Sequence, residues 1–332
     1  MKNFILKSGL FLTPLILSIL LFVLIDPFFL FGNNKGKLNK TKTYEVAINR
    51  DFQSTELFIK NYSNHKYDSF IFGNSRSHSY NIDIWTDYVR GNCFHFGTSD
   101  ESLYGIARRL EFLDKKKVSI KNVLLILDSR TFLRTSDSPF HLIAKHPLIS
   151  DKSYLSFYAL MFRGFFPKAM IAHLDLHLTG ERKPYMADFG IRKNMMSLNS
   201  STNQLSYTLY DSIINNNINL YYKDKEKIFY PRNSSVQVYS EISIGNEQKK
   251  LLASIKSIFD SQKTNYKIVI NPLYDQFKIN RQDIKYLNDM FTKANVFDYS
   301  GINEYTESKY NYYEDEHYRP IVSNKIMKHI YH

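Results

Sequence analysis

Short apolar runs alternate with amphipathic stretches along most of this chain. Residues 68–72 (DSFIF) end at Gly73, 93–96 (CFHF) at Gly97, 122–127 (NVLLIL) at Asp128, 267–270 (KIVI) at Asn271-Pro272, and 295–299 (NVFDY) at Ser300-Gly301. Each run is short, apolar and largely β-branched or aromatic, and is closed by a turn-forming residue, which is the pattern of a buried strand. Between the runs the period changes to that of a helix. Leu103, Ile106, Ala107, Leu110 and Leu113 make one apolar stripe over 101–115; Leu251, Leu252, Ile255, Ile258 and Phe259 make another over 247–262; Ile284, Leu287, Met290 and Phe291 a third over 282–293. Strands alternating with helices predict a three-layer α/β/α fold, flavodoxin-like, around a five-stranded parallel sheet. In such sheets a site forms beyond the carboxyl ends of the strands.

Two stretches depart from this rhythm. Residues 8–25 (SGLFLTPLILSILLFVLI) carry no charge, Asp26-Pro27 interrupts them, and 28–31 (FFLF) is apolar again. About 18 apolar residues can span a bilayer core of about 30 Å. No small-x-small cleavage site follows, so the expectation is an uncleaved anchor over 8–31 behind a short tail, 1–7. Residues 32–65 read as a Lys/Asn-rich linker with an amphipathic lead-in at 44–62, and 66–332 as the main domain. Residues 134–240, rich in aromatics, His and Asn, read as a helical insertion with helices near 154–166 and 168–178. It would serve as a lid, a membrane-lying surface or a partner-docking face.

Composition narrows the class. Hydrophobic residues are 43% and charged residues 23% of the 332, which is globular rather than disordered. The net charge of +12 favours anionic lipids or acidic polymers as neighbours. No zinc-finger spacing and no basic recognition helix is visible, so nucleic acid is not an expected partner. Cys93 is the single cysteine, which excludes an internal disulfide framework and a cysteine-rich zinc site. The 25 Tyr and 25 Phe fit either a Phe-rich core or surfaces that face sugars or a membrane interface. His173 and His177 stand four apart on an expected helix with no acid in the zinc-protease position, and no metal or cofactor is expected.

The chemistry-bearing residues lie at opposite ends of the chain. Gly73-Asn74-Ser75-Arg76-Ser77 follows the first expected strand, with Gly73 permitting a tight turn and Ser75 opening an expected helix, close to exposed backbone N–H groups. A serine hydroxyl needs a base to attack. Near the carboxyl terminus stands Glu314-Asp315-Glu316-His317-Tyr318-Arg319-Pro320, in which a carboxylate can hold the imidazole and stabilise its charged form. The plain alternatives are an N-cap serine and a solvated acidic turn. Arg76 would meet an anionic substrate or a surface acid, and Arg319 would clamp the histidine loop. Asp128 and Arg130 would line the cleft or form a turn salt bridge.

Together the two segments resemble the SGNH/GDSL hydrolase superfamily, whose serine follows the first strand in a Gly-Asp-Ser block and whose histidine sits in a C-terminal Asp-x-x-His block. The resemblance covers roughly 66–135 and 265–331. With an anchor in front, Gly-Asn-Ser-Arg-Ser looks like the bacterial members that acylate envelope polysaccharides. It implies Ser75 as nucleophile and His317 as base, with Glu314 or Asp315 as the orienting acid. It further implies Gly97 at the oxyanion, with Asn74 and Arg76 beside the substrate. The implied activity is a serine-dependent esterase or O-acyltransferase, acetyl being the expected group, on a cell-envelope glycan. A multi-span membrane acyl donor is the implied partner, and the implied location is the inner membrane with the domain outside the cytoplasm. Lys2 and Lys7 before the anchor and Lys35, Lys37, Lys40 and Lys42 after it favour the opposite orientation by the positive-inside rule. Asn74 replaces the block-one acid, and Leu127-Asp128-Ser129-Arg130 lacks the family's third-strand Asn, so one oxyanion donor is absent or differently supplied. Such a loss costs about 3 kcal/mol. A non-catalytic assembly subunit and a lipid esterase are the alternatives.

Overall fold

Phe70 and Phe72 project from one side of the strand Ser69–Gly73 and Ile71 from the other, and all are buried. That two-sided burial requires layers above and below, and the computed structural model, which describes residues 2–32, 44–232 and 235–332, contains them. The sheet has five parallel strands: β1 (Ser69–Gly73), β2 (Cys93–Gly97), β3 (Asn122–Leu127), β4 (Asn265–Ile270) and β5 (Val296–Asp298). They lie in the order β2-β1-β3-β4-β5. This order places the reversal of winding between β1 and β3, where doubly wound sheets open a crevice at the carboxyl ends.

Helices close both faces. On one side α1 (Arg50–His65), α3 (Leu103–Lys115), α4 (Asn246–Ser261) and α5 (Arg281–Phe291) bury Phe58, Leu110, Ile255 and Leu287 against Phe70, Phe96, Leu125 and Ile268. On the other, α2 (Ile82–Val89) and α6 (Pro320–Tyr331) bury Trp85 and Ile326 against Ile71, Leu124 and Val269. The expected strands and stripes therefore match the observed elements closely, and local caps fix the ends. Ser102 accepts from Gly105 N at 3.2 Å and starts α3 there. Thr292, at φ 67°, ends α5 one residue after Phe291.

The chain divides into two compact units: Arg50–Asp137, Leu148–Ser150 and Met196–His332, which hold the sheet, and Met1–Asn49, Ser138–Pro147 and Asp151–Met195. Within the second, the helices Lys2–Ile25 and Tyr154–Phe165 pack through Phe22, whose ring lies 5.7 Å from Phe162 and 5.4 Å from Phe165, and the helix Lys168–Thr179 sets His173 against Phe165. The apolar run 8–25 lies within one helix, and the interruption expected at Asp26-Pro27 is where it ends. The first helix stops at Ile25, and the buried Asp26 carboxylate turns the chain by accepting Leu30 N at 2.6 Å and Phe31 N at 3.2 Å. Among the described residues no helix is long and apolar enough to cross a membrane. The linker's residues 33–43, with Lys35, Lys37, Lys40 and Lys42, lie outside the described residues.

The lead-in is a short strand, Tyr44–Val46, paired antiparallel with Ile191–Lys193, and then α1. The insertion expected to be helical is only partly so. Besides its helices it forms the antiparallel pair Ser197–Asn199 with Gln204–Ser206, and its residues are shared between the two units.

One buried ion pair ties α1 to α3. The Arg109 side chain has no exposure, bonds Asp51, donates to Thr55 Oγ1 at 2.9 Å and lies 4.7 Å over the Phe96 ring. Removing one member leaves a buried charge alone. Asp51→Ala is therefore expected to lower unfolding free energy by about 3–5 kcal/mol in urea titrations. A loss below about 1 kcal/mol would show that the guanidinium does not depend on this carboxylate.

Candidate active site

Gly73 ends β1 where space runs out. A Cβ on it would lie 2.8 Å from the Ile126 carbonyl oxygen and 2.9 Å from Ser77 Cβ. The chain then turns through Asn74 into a five-residue 3-10 segment, Ser75–Ser79, rather than the α-helix expected from the sequence. Asn74 caps it, its Oδ1 accepting from Arg76 N at 3.1 Å. Of residues 71–80 all are buried except Ser75, so the turn presents one hydroxyl to solvent.

The facing group comes from 242 residues later, where Nε2 of His317 lies 2.7 Å from Ser75 Oγ. His317 sits on a hairpin of Tyr312–Glu314 and His317–Tyr318, whose register sets Glu314 directly across from it. Nδ1 of His317 bonds Glu314 Oε1, and Glu314 Oε2 accepts from Glu316 N at 2.7 Å. Burial raises the Glu314 carboxyl, but the hydrogen bond and charge of His317 together with the Glu316 N–H outweigh it and hold the group below the usual carboxylate range. Asp315, at the tip of the turn, makes no such contact. Burial first, then the Glu314 and Glu316 charges, push its carboxyl up. Of the two acids left open by the sequence, Glu314 is the one on the imidazole.

The hairpin is braced from the insertion. Tyr222 Oη donates to the Tyr312 carbonyl at 2.7 Å, Tyr221 Oη to that of Tyr313 at 2.9 Å, and Tyr313 Oη to Asp211 at 2.7 Å. Arg319 pairs with Asp211 at 3.0 Å and reaches the Tyr310 carbonyl, so it does clamp this loop. The insertion's contribution could be anticipated only from its density of tyrosines.

Beneath the turn lies Asp128, 1% exposed, at the end of β3. Its Oδ2 receives Asn74 Nδ2 at 2.7 Å, Arg76 Nη1 at 3.2 Å and Asn271 Nδ2 at 3.4 Å, while Oδ1 caps the turn after β3 by accepting Thr131 N at 3.1 Å. Asn74 and Arg76 are thus held by Asp128 rather than standing open beside a substrate. Asp128 and Asn271 both sit at strand carboxyl ends, and that position was the available signal for them. Gly97 ends β2 level with Gly73. A Cβ there would meet His78 Cε1 at 2.6 Å and Ser77 Oγ at 2.7 Å, so packing alone requires glycine at this point.

His78 and His95 form a buried pair with ring centroids 4.9 Å apart. Ser77 Oγ donates its proton to the Asn74 carbonyl at 2.7 Å, so His95 Nε2, at 3.1 Å, is the donor to it and His95 carries its proton on Nε2. Neither Nδ1 has a partner. Burial pushes His95 down to about 3. It also holds His78 well below the usual range, aided by His95, Arg50 and His317. Burial lifts the Cys93 thiol to about 11, which rules it out as a ready nucleophile. His173 is buried between the Phe28 and Phe165 rings, while His177 is exposed. Among the described residues no three His, Cys, Asp or Glu side chains group as metal ligands.

Compared with known proteins, the chain matches no family model, and no curated protein matches it.

Because His95 and His78 are depressed on folding, the unfolded chain binds more protons below the ordinary histidine value of 6.5. For His95 the stabilising effect is complete above pH 6.5 and is lost as the pH falls from there toward about 3, and His78 acts in the same direction. Urea unfolding between pH 7.5 and 4.5 is expected to show a shallower decline in His95→Gln than in the unmodified protein. Equal slopes would mean that this ring does not titrate on unfolding.

Proposed function

We propose that this chain is a serine-dependent ester hydrolase or O-acyltransferase of the SGNH type, acting on acyl groups of a cell-envelope glycan. One observation carries the reading: a partly exposed serine hydroxyl 2.7 Å from an imidazole nitrogen whose opposite nitrogen is held by a carboxylate. In this reading His317 Nε2 takes the Ser75 proton as Oγ bonds the ester carbonyl carbon. Glu314 stabilises the imidazolium. The N–H groups of Ser75 and Gly97 receive the oxyanion. Collapse breaks the bond to the alcohol oxygen, which leaves with the proton from His317. The acyl-serine is then resolved by water or a sugar hydroxyl, deprotonated by the same imidazole. The strand order supports it, since Ser75 and Asp128 stand at the crevice between β1 and β3. The glycan, the acetyl group and a membrane-embedded acyl donor rest on the resemblance of the two sequence blocks.

The reading extends to location. The helix Lys2–Ile25 leaves Phe11, Leu12, Leu15, Ile16, Leu17, Ile19 and Leu20 exposed, away from the face on which Phe22 is buried. So wide an exposed apolar surface favours lipid over water, which supports attachment to a membrane; the extracytoplasmic placement of the domain rests on the resemblance alone.

A second reading, an assembly subunit without catalysis, is favoured by Asp128. The segment after β3 lacks the Asn that the resemblance calls for, and its buried Asp128 carboxylate is occupied by Asn74 and Arg76.

A fluorophosphonate probe separates the two. The full chain is expected to label at Ser75, and Ser75→Ala to lose the label. Glu314→Gln should slow labelling by about 10²–10⁴-fold through loss of the imidazole's orientation, and Asp315→Asn should stay within about twofold. An unlabelled, folded protein, with glycan acylation unchanged in cells carrying Ser75→Ala, would select the assembly subunit.

A further inference from the structure

Arg76 is 6% exposed, and all three of its nitrogens are committed. Nη1 lies 3.2 Å from Asp128, Nη2 bonds the Glu316 carboxylate, and Nε donates to the Glu316 carbonyl at 2.8 Å. One end of the guanidinium is therefore fixed to the sheet through Asp128, and the other grips the turn that carries His317. That turn has need of a cation. Glu314, Asp315 and Glu316 are consecutive carboxylates, and like charges this close repel. Glu314 is occupied by His317 and the Glu316 N–H, Asp315 is left unpaired at the tip, and Glu316 is the one neutralised from below. Arg130 reaches Glu316 as well, at 2.8 Å, but this pair is 49% and 39% exposed, where screening leaves an ion pair little worth. The buried arm on Asp128 has no such competition from water.

We propose that Arg76 is a positioning residue: it latches the histidine turn to the serine turn through both the backbone and the side chain of Glu316. The separation of Ser75 Oγ from His317 Nε2 is then set by the residue next to the serine itself. The latch is a physical link between two loops, and its catalytic consequence rests on the hydrolase reading above. A misplacement of about 1 Å between reacting groups costs about 10²-fold in rate.

Hydrogen exchange over residues 312–318 and the fluorophosphonate labelling rate, both on the full chain, test it together. In Arg76→Met, exchange in this segment is expected to rise about tenfold or more as the loop opens locally. Labelling should slow about 10²-fold with probe affinity unchanged, a split that simple loss of stability does not produce. Arg76→Lys should restore part of the protection but not all, because an ammonium cannot hold the carbonyl and both carboxylates as a planar fork does. Arg130→Met should leave exchange within about twofold, as expected of an exposed pair. Should Arg76→Met not fold, Glu316→Gln, at the exposed end of the latch, gives the same reading through faster exchange in 312–318. Exchange and labelling within twofold of the unmodified protein in either folded variant would overturn the proposal. A wild-type chain that never labels would sink the hydrolase reading, while the exchange data would still decide on the latch.

Discussion

A carboxylate buried at the end of the central strand organises the candidate site. Moving such a group out of water costs several kcal/mol unless donors surround it. Asp128 has them on every side: the Asn74 amide from the serine turn, the Arg76 guanidinium, the Asn271 amide from β4, and Thr131 from its own turn. Each donor belongs to a segment that must be correctly placed for the site to exist. Satisfying one buried charge and assembling the serine turn against β3 and β4 are therefore a single event. Tyr318 Oη, donating to Asn271 Oδ1 at 2.6 Å, carries the same network to the residue beside His317.

The geometry of the Ser75–His317 pair follows from this arrangement and from the sheet order. Ser75 follows β1 at the reversal point, where doubly wound sheets open a crevice at the carboxyl ends. The histidine hairpin has no sheet of its own to lean on beyond two short strands, and it draws rigidity from three outside sources. Tyrosines of the insertion hold its carbonyls, Arg319 and Tyr313 share Asp211, and Arg76 holds its tip. A site on a loop is ordinarily less precise than one on a strand. Here the loop is fixed by groups from three other parts of the chain.

The sheet was legible in the sequence because its strands are buried on both faces and its helices on one, so each left a distinct period in the hydrophobic pattern. Gly73 and Gly97, as strand terminators, and the Ser75 and His317 blocks were legible for the same reason, since chemistry in this fold collects at strand ends. What could not be read were partners chosen in three dimensions. Nothing local marks Asp128 as the acceptor for residues 54 and 143 positions away. The choice between Glu314 and Asp315 was within reach of strand alternation, because a hairpin pairing Tyr312 with Tyr318 sets Glu314, and not the tip residue, opposite His317. The apolar run 8–25 was legible as one helix, and the interruption at Asp26-Pro27 is where that helix ends, the Asp26 carboxylate accepting from Leu30 N and Phe31 N. The pair Ser197–Asn199 and Gln204–Ser206 was missed because three-residue polar strands carry no period to detect.

The two departures from the pattern that the motifs resemble meet in space: Asn74 stands where an acid is expected beside the serine, and the segment after the third strand, which lacks the expected Asn, supplies Asp128, and the two bond each other at 2.7 Å. The consequence lies with the third party. A carboxylate on β3 can recruit Arg76, which an amide there could not hold as an ion pair, and Arg76 in turn grips Glu316. The carboxylate thus gives a firm link between the two halves of the site. On the hydrolase or acyltransferase reading proposed above, an oxyanion donor missing after β3 would cost about 3 kcal/mol of barrier, and an ester delivered and oriented by a partner would offset that cost, because positioning can supply several kcal/mol of the same barrier.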